Sequence, residues 1–173
     1  MNDDVYGIKK WGNDILEILE NGNIGLKNPF HPDNSPADLI KIIKSLNERG
    51  ISCPVLLRVT DYLAFRIKQI NNSFFRAIRE IRYKGEYKGV FPVKVNQQAQ
   101  VIDRIVEFGK EFDFGLEVGS KPELLIALAH DLSANSTIIC NGIKDREFIH
   151  LAILSIKIGF KTILVLESPR ELD

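Results

Sequence analysis

The sequence contains few residues of the types that form disulfide frameworks or metal sites. Its only cysteines are Cys53 and Cys140, and its only histidines are His31, His130 and His150. These residues do not have the close spacing that zinc ligands share, and two cysteines are too few for a disulfide-stabilised scaffold. We therefore expect no metal-ligating residues and no disulfide framework.

An excess of charge of one sign is also missing. Lys and Arg together number 23, as do Asp and Glu, which gives the 173 residues a formal net charge of +0. No run approaches the ~18 uncharged apolar residues of a membrane span, and the first residues lack the basic and apolar regions of a signal peptide. With 45% hydrophobic residues, the composition predicts a globular cytosolic protein that binds neither nucleic acid nor membrane.

The first part of the sequence predicts a short β-rich segment. Two apolar runs within residues 14–27 flank Asn21-Gly22, and this dipeptide favours a hairpin with a type I′ turn. Residues 28–35 are polar and contain two prolines, as expected of a linker. We place a domain boundary near residue 34, which separates an N-terminal hairpin segment, residues 1–34, from a second domain, residues 35–173.

After this boundary the sequence alternates between helical and strand patterns. Ser35 and Pro36 predict the start of a helix that ends at Gly50, residues 55–59 predict a short strand, and residues 60–81 predict a long amphipathic helix. Four further strand candidates follow, each with a helical segment or helix-start signal behind it: residues 89–96, 112–118, 136–141 and 161–167.

The four strand candidates end on polar residues. Strands that alternate with helices form a parallel sheet, and the carboxyl ends of such strands meet at one edge, here called the mouth. Alternation along the first strand predicts that Val93 and Val95 face away from the mouth. An alternative explanation is that polar residues end most strands simply because loops begin there. The strand-end residues are Lys94, Glu117, Asn141 and Glu167.

Two helix-start signals follow strands. Ser120 and Glu123 form a capping box, and Ser168 and Glu171 repeat it with only two residues after the second glutamate. Four βα units fill about half of the roughly 250 residues of a closed (β/α) barrel. The residues alone therefore indicate either a small open sheet or the first part of a larger barrel.

Four segments resemble consecutive strand motifs of the biosynthetic arginine decarboxylases, and the resemblance extends over nearly the whole chain. It implies an α/β fold in which the first half of a parallel (β/α)8 TIM-like barrel follows the short β-rich segment. The barrel would be that of the pyridoxal-phosphate-dependent, alanine-racemase-like enzymes of fold type III. The segments are Phe91-Pro-Val-Lys-Val-Asn-Gln-Gln98, Gly115-Leu-Glu-Val-Gly-Ser-Lys-Pro-Glu-Leu124, Cys140-Asn-Gly-Ile-Lys-Asp-Arg-Glu147 and Val165-Leu-Glu-Ser168.

The resemblance also implies a cofactor and site residues. Lys94 would bind pyridoxal phosphate covalently, and Glu117 would orient Lys94 or instead bind a neighbouring lysine. Asn141 and Glu167 would line the cofactor site, or each would cap the helix that follows it. The full-length form would convert arginine to agmatine and carbon dioxide in polyamine biosynthesis, as a homo-oligomer with magnesium.

Other functions remain open at this point. The family's phosphate-binding loop and the residues around the pyridine ring would lie in later parts of such enzymes, so we expect the chain to be an N-terminal fragment that is inactive alone. It could instead be a non-catalytic remnant, or a split subunit that needs a second chain. A small α/β module that binds a phosphorylated ligand is a further alternative, although the sequence has no P-loop and no G-x-G-x-x-G motif.

Overall fold

The structure, a computed structural model, describes residues 3–172. The chain forms two compact units that divide between Phe65 and Arg66. The domains predicted from the sequence, residues 1–34 and 35–173, follow a different division of the chain and stay a prediction. The fold class is confirmed: the structure combines an antiparallel sheet with a parallel one.

The first unit is built around a three-stranded antiparallel sheet in the order β1-β2-β3. The predicted hairpin is confirmed, because Leu16 of β1 lies opposite Leu26 of β2. Its turn differs from the prediction. Gly22 has a φ of 82° while Asn21 keeps a negative φ, and Leu19 N–H donates to Asn23 O at 2.8 Å. The elements are α1 (Asp3–Tyr6), α2 (Ile8–Trp11), β1 (Leu16–Ile18), β2 (Ile24–Leu26), β3 (Ala37–Asp38) and α3 (Leu39–Glu48).

The third helix begins later than the sequence predicted. Ala37 and Asp38 pair with β2 as a short strand, so the helix begins at Leu39 and its N-cap is Asp38 instead of Ser35. The prediction was wrong because a local proline signal does not report that the following residues can pair with a strand from elsewhere in the chain.

Residues 55–59 are not a strand. They have no regular secondary structure up to the start of α4, with no strand pairing among the described residues. A run of β-branched and apolar residues forms a strand only where a neighbouring strand accepts its hydrogen bonds. Pattern alone could not supply that neighbour.

The second unit contains a parallel sheet in the order β4-β5-β6-β7, which confirms the four predicted strands with shorter bounds. Each strand is the neighbour of the next one along the chain, as expected for consecutive βα units. Short 3-10 turns follow β4, α5 and β7. Helix α4 (Thr60–Glu80) contains the division at Phe65, and the elements after it are β4 (Val90–Pro92), α5 (Ala99–Gly109), β5 (Gly115–Val118), α6 (Lys121–Leu128), β6 (Thr137–Cys140), α7 (Arg146–Lys157) and β7 (Lys161–Leu164).

The core of this unit lies around β5, all four residues of which are buried. Leu116 of β5, Ile138 of β6 and Phe148 of α7 are almost completely enclosed. Gly115 is required where it stands, because a Cβ there would overlap the backbone of Thr137 in the next strand. Within residues 3–172, no helix is long and apolar enough to span a membrane.

The carboxylate of Asp38 joins two segments of the first unit. Asp38 accepts hydrogen bonds from Asn23 Nδ2 at 2.9 Å and Asn21 Nδ2 at 3.1 Å, and also from the backbone of Ile40 and Lys41 at 2.9 and 3.2 Å. The bond from Asn23 is the largest of the causes that lower the pKa of Asp38 to about 2. The hairpin loop and the start of α3 are therefore joined through one charged group.

We predict that acid weakens the first unit through Asp38. Its folded pKa of about 2 lies below the ~3.9 of an unfolded aspartate, so the stabilisation is present above pH ~4 and is lost as the pH falls toward 2. Urea titrations followed by the fluorescence of Trp11, the single tryptophan, should show a lower midpoint at pH 3 than at pH 7. In Asp38→Asn this difference should shrink. Asp33→Asn is the control, and an equal shrinkage there would contradict the prediction.

Candidate functional site

The carboxyl ends of the parallel strands bring two of the predicted site residues together. Pro92, the last residue of β4, lies opposite Glu117 of β5 in the register of the sheet. Lys94 follows two residues later, in a 3-10 turn that covers Val93–Val95. The side chain of Lys94 therefore starts close to the end of β5.

Lys94 and Glu117 form an ion pair, with Nζ and Oε1 3.1 Å apart. The Lys94 side chain is 55% exposed, whereas that of Glu117 is only 9% exposed. The second carboxylate oxygen of Glu117, Oε2, is buried and has no hydrogen-bond partner. A buried carboxylate oxygen without a donor is costly, so this atom marks a place where a donor from a ligand would be favourable.

The geometry around Lys94 corrects one expectation. Alternation in a strand would place Val93 and Val95 on one face, but Val93 is completely buried and Val95 is 69% exposed. The reason is that β4 ends at Pro92 and the chain then turns helically, which rotates successive side chains by much less than a strand does. Lys94 therefore belongs to a turn beyond the strand.

The other two predicted residues lie at the same edge but do not join the ion pair. Asn141 follows β6, and its backbone N–H donates to Val118 O at 2.8 Å. It does not cap α7, because Asp145 is the N-cap and accepts from Phe148 N at 2.8 Å. Glu167 lies beyond β7 and is exposed. Of the four strand-end residues, Lys94 and Glu117 are the two that the structure joins by a hydrogen bond.

The serine half of the predicted capping box is present at the start of α6, while the glutamate binds the N–H of Gly119, one residue before the N-cap. Ser120 Oγ accepts from Glu123 N–H at 3.4 Å. The Glu123 carboxylate accepts from Gly119 N–H at 2.8 Å and from Gln97 Nε2 at 3.2 Å. No local pattern indicated a role for Gln97, because its partner is a residue 26 positions away.

Two further lysines lie near the mouth, Lys121 at the start of α6 and Lys144 in the loop after β6, and both pair with other carboxylates. Lys121 Nζ is 2.7 Å from both Asp145 and Glu147, and these hydrogen bonds raise the pKa of Lys121. The Lys144 side chain is only 1% exposed, and its amine pairs with Glu171 at 3.3 Å. The Lys94 side chain is more exposed than either of these, at 55%, and its amine pairs with a buried carboxylate.

The thiol near the mouth is buried. Cys140 is the last residue of β6 and has no exposed surface. Burial raises the pKa of its thiol to about 11, so the thiolate that would act as a nucleophile is disfavoured at neutral pH.

Comparison with known proteins identifies the family. Residues 67–173 match the pyridoxal binding domain of the pyridoxal-dependent decarboxylases. The match covers more than half of the chain and includes every residue of the site described above. The chain therefore belongs to the pyridoxal-dependent decarboxylase family.

The most similar relatives share one name. The chain is 46% identical to a biosynthetic arginine decarboxylase of Prochlorococcus marinus (strain MIT 9312) over 96% of its length, and 44% identical to one of Gloeobacter violaceus over 98%. It spans 26% of each of these relatives. The crystal structure of the biosynthetic arginine decarboxylase SpeA from Campylobacter jejuni matches with a TM-score of 0.87 and 35% identity, over 99% of this chain and 28% of that one.

We predict that Lys94 and Glu117 depend on each other for stability. Lys94→Met should lower the free energy of unfolding by about 1–3 kcal/mol, because it leaves a buried carboxylate without its donor. Glu117→Gln should cost less, since it removes the buried charge itself, and the double variant should recover most of the loss. Urea titrations followed by far-UV circular dichroism measure these differences.

Lys121→Met is the matched control for these variants of Lys94 and Glu117. The carboxylates that pair with Lys121 are 54% and 79% exposed, so removal of this lysine should cost less than removal of Lys94. Losses that simply add in the Lys94→Met, Glu117→Gln double variant would show that the pair is not coupled.

Proposed function

We propose that this chain supplies the Lys94 portion of a pyridoxal-phosphate site in an arginine decarboxylase, with Lys94 as the residue that binds the cofactor. The observation that carries the proposal is the half-exposed Lys94 side chain, whose amine lies 3.1 Å from a buried carboxylate, at the carboxyl ends of parallel strands. That edge is where reactive groups gather in (β/α) barrels.

The residues at the mouth fit pyridoxal phosphate. An accessible amine is the group that the cofactor's aldehyde requires, and Lys94 offers one. Glu117 Oε2 is a buried acceptor with no donor, which a polar group of a bound cofactor could satisfy. Asn141 and Glu167 are proposed as further cofactor contacts because they lie at the same edge of the sheet, and because Asn141 does not cap α7.

When bound, pyridoxal phosphate supplies a sink for the electron pair left by decarboxylation. The contribution of this chain is positional. Glu117 accepts a hydrogen bond from Lys94 Nζ and so holds the amine, with its proton, toward the end of β5. Glu117 is itself 7% exposed, and a hydrogen bond to a carboxylate in such surroundings is stronger than one in water.

The choice of arginine rests on the relatives. The proteins that match nearly the whole chain are named biosynthetic arginine decarboxylases, and arginine would be converted to agmatine and carbon dioxide. The chain spans about a quarter of their length, so the activity is proposed for the longer protein of which it would be a part. Magnesium, a homo-oligomeric full-length form and a cytosolic location stay predictions from the sequence.

We predict that pyridoxal phosphate reacts selectively with Lys94. After incubation of the chain with the cofactor, borohydride reduction should fix the pyridoxyl group to the peptide that contains Phe91-Pro-Val-Lys94, and peptide mapping by mass spectrometry would locate it. Lys94→Ala should lose this label. Lys121 and Lys144 serve as internal controls, since two carboxylates bind the Lys121 amine and raise its pKa, and the Lys144 side chain is only 1% exposed. Equal labelling of all exposed lysines, or preferential labelling of Lys121 or Lys144, would overturn the assignment.

We also predict that the chain complements a relative that lacks the matching segment. The Gloeobacter violaceus enzyme without the quarter that corresponds to this chain should release no carbon dioxide from carboxyl-labelled arginine. Addition of the wild-type chain should restore release, whereas the Lys94→Ala chain should not. Restoration by Lys94→Ala would refute the catalytic role of Lys94. Restoration with ornithine or lysine in place of arginine would refute the proposed substrate.

A further inference from the structure

The carboxylate of Glu123 connects the two segments that carry the ion pair. Glu123 lies in the first turn of α6 and is 7% exposed. One oxygen accepts from Gly119 N–H at 2.8 Å, two residues after Glu117, and the other accepts from Gln97 Nε2 at 3.2 Å, three residues after Lys94. The buried carboxylate of Glu123 therefore binds a residue close to each partner of the ion pair, Gly119 near Glu117 and Gln97 near Lys94.

The contact with Gln97 is not needed for capping. Ser120 Oγ already accepts from Glu123 N–H, and the carboxylate already satisfies Gly119 N–H. A glutamate at this position of a helix is favourable for these reasons alone. The additional bond crosses from α6 to the turn after β4, so its effect falls on the backbone that carries Lys94.

The same arrangement recurs two βα units later. Glu171, which also follows a serine by three residues, accepts from Glu167 N–H at 2.8 Å and pairs with Lys144 Nζ at 3.3 Å. Lys144 belongs to the loop after β6. In both cases the glutamate accepts from the N–H four residues earlier and from a side chain in the preceding βα loop. The recurrence supplies a matched control within the same chain.

We infer that Glu123 is a positioning residue, which keeps Lys94 within reach of Glu117 by holding Gln97 against the start of α6. The effect of this positioning on catalysis rests on the proposed function, since a displacement of about 1 Å in a reactive group is enough to impair an active site. The expected effect on the ion pair between Lys94 and Glu117 does not depend on the cofactor. Loss of the Glu123 to Gln97 contact should free the turn of residues 93–97 and loosen the ion pair.

Competitive acetylation tests this inference on the 173-residue chain without cofactor. The Lys94 amine must leave Glu117 to attack acetic anhydride, so the rate of its acetylation relative to Lys41 of α3 reports how firmly the pair is held. Gln97→Ala, which leaves the cap intact, and Glu123→Met should each raise this ratio about two- to fivefold, the range expected for release of a partly exposed ion pair. Glu123→Gln retains an acceptor for Gly119 and a side chain that can pair with Gln97, so it should stay near wild type.

Glu171→Met is the matched control, because it removes the same kind of contact at the loop after β6. It should leave the Lys94 ratio unchanged. An unchanged ratio in Gln97→Ala would overturn the inference, and this variant decides the matter if circular dichroism shows that Glu123→Met does not fold. An equal rise in Glu171→Met would also overturn it. If acetylation behaves as expected but borohydride labelling does not select Lys94, the proposed function fails and the positioning role stands.

Discussion

The parallel pairing of β4 with β5 is the constraint on which the candidate site depends. It sets Pro92 opposite Glu117, and the turn that follows β4 then carries Lys94 to the end of β5. Two residues that are 23 positions apart in the chain meet because a helix crosses over between two neighbouring parallel strands. A shift of this register by one residue would move Glu117 to the other face of the sheet and separate the pair.

The buried carboxylates show how the chain distributes its polar groups. Glu123 is enclosed but has donors for both oxygens, from Gly119 and Gln97. Glu117 is equally enclosed, yet one of its oxygens has none. Burial of a carboxylate is favourable only when its hydrogen bonds are complete. Glu123 is therefore suited to a structural and positioning task, whereas Glu117 keeps an incomplete set of bonds, as expected where a ligand belongs.

The parallel sheet could be predicted from the sequence to a greater extent than the loops and helix ends could. The four strands and the polar residues at their ends follow from repeated βα patterns, and the family resemblance offered Lys94 as one of the possible partners of Glu117, with which the structure pairs it. The late start of α3 and the irregular path of residues 55–59 could not be predicted, because both depend on whether a strand from elsewhere in the chain is present to pair. The hydrogen bond between Gln97 and Glu123 could not be predicted either, because it also joins residues that are distant in the chain. Local patterns predict elements, while long-range hydrogen bonds decide their ends.

The turn at Val93–Val95 explains how one lysine can be both accessible and well placed. Within β4 the Lys94 side chain would point to one face of the sheet instead of lying beyond the end of the strand. Beyond the strand, Asn96 N–H donates to Val93 O at 3.1 Å and Asn96 Oδ1 accepts from Gln98 N–H at 3.1 Å. These bonds fix the backbone on the far side of Lys94, and the completely buried Val93 anchors the near side. The amine thus keeps solvent access on a rigid support, which is the combination that a covalent cofactor lysine requires.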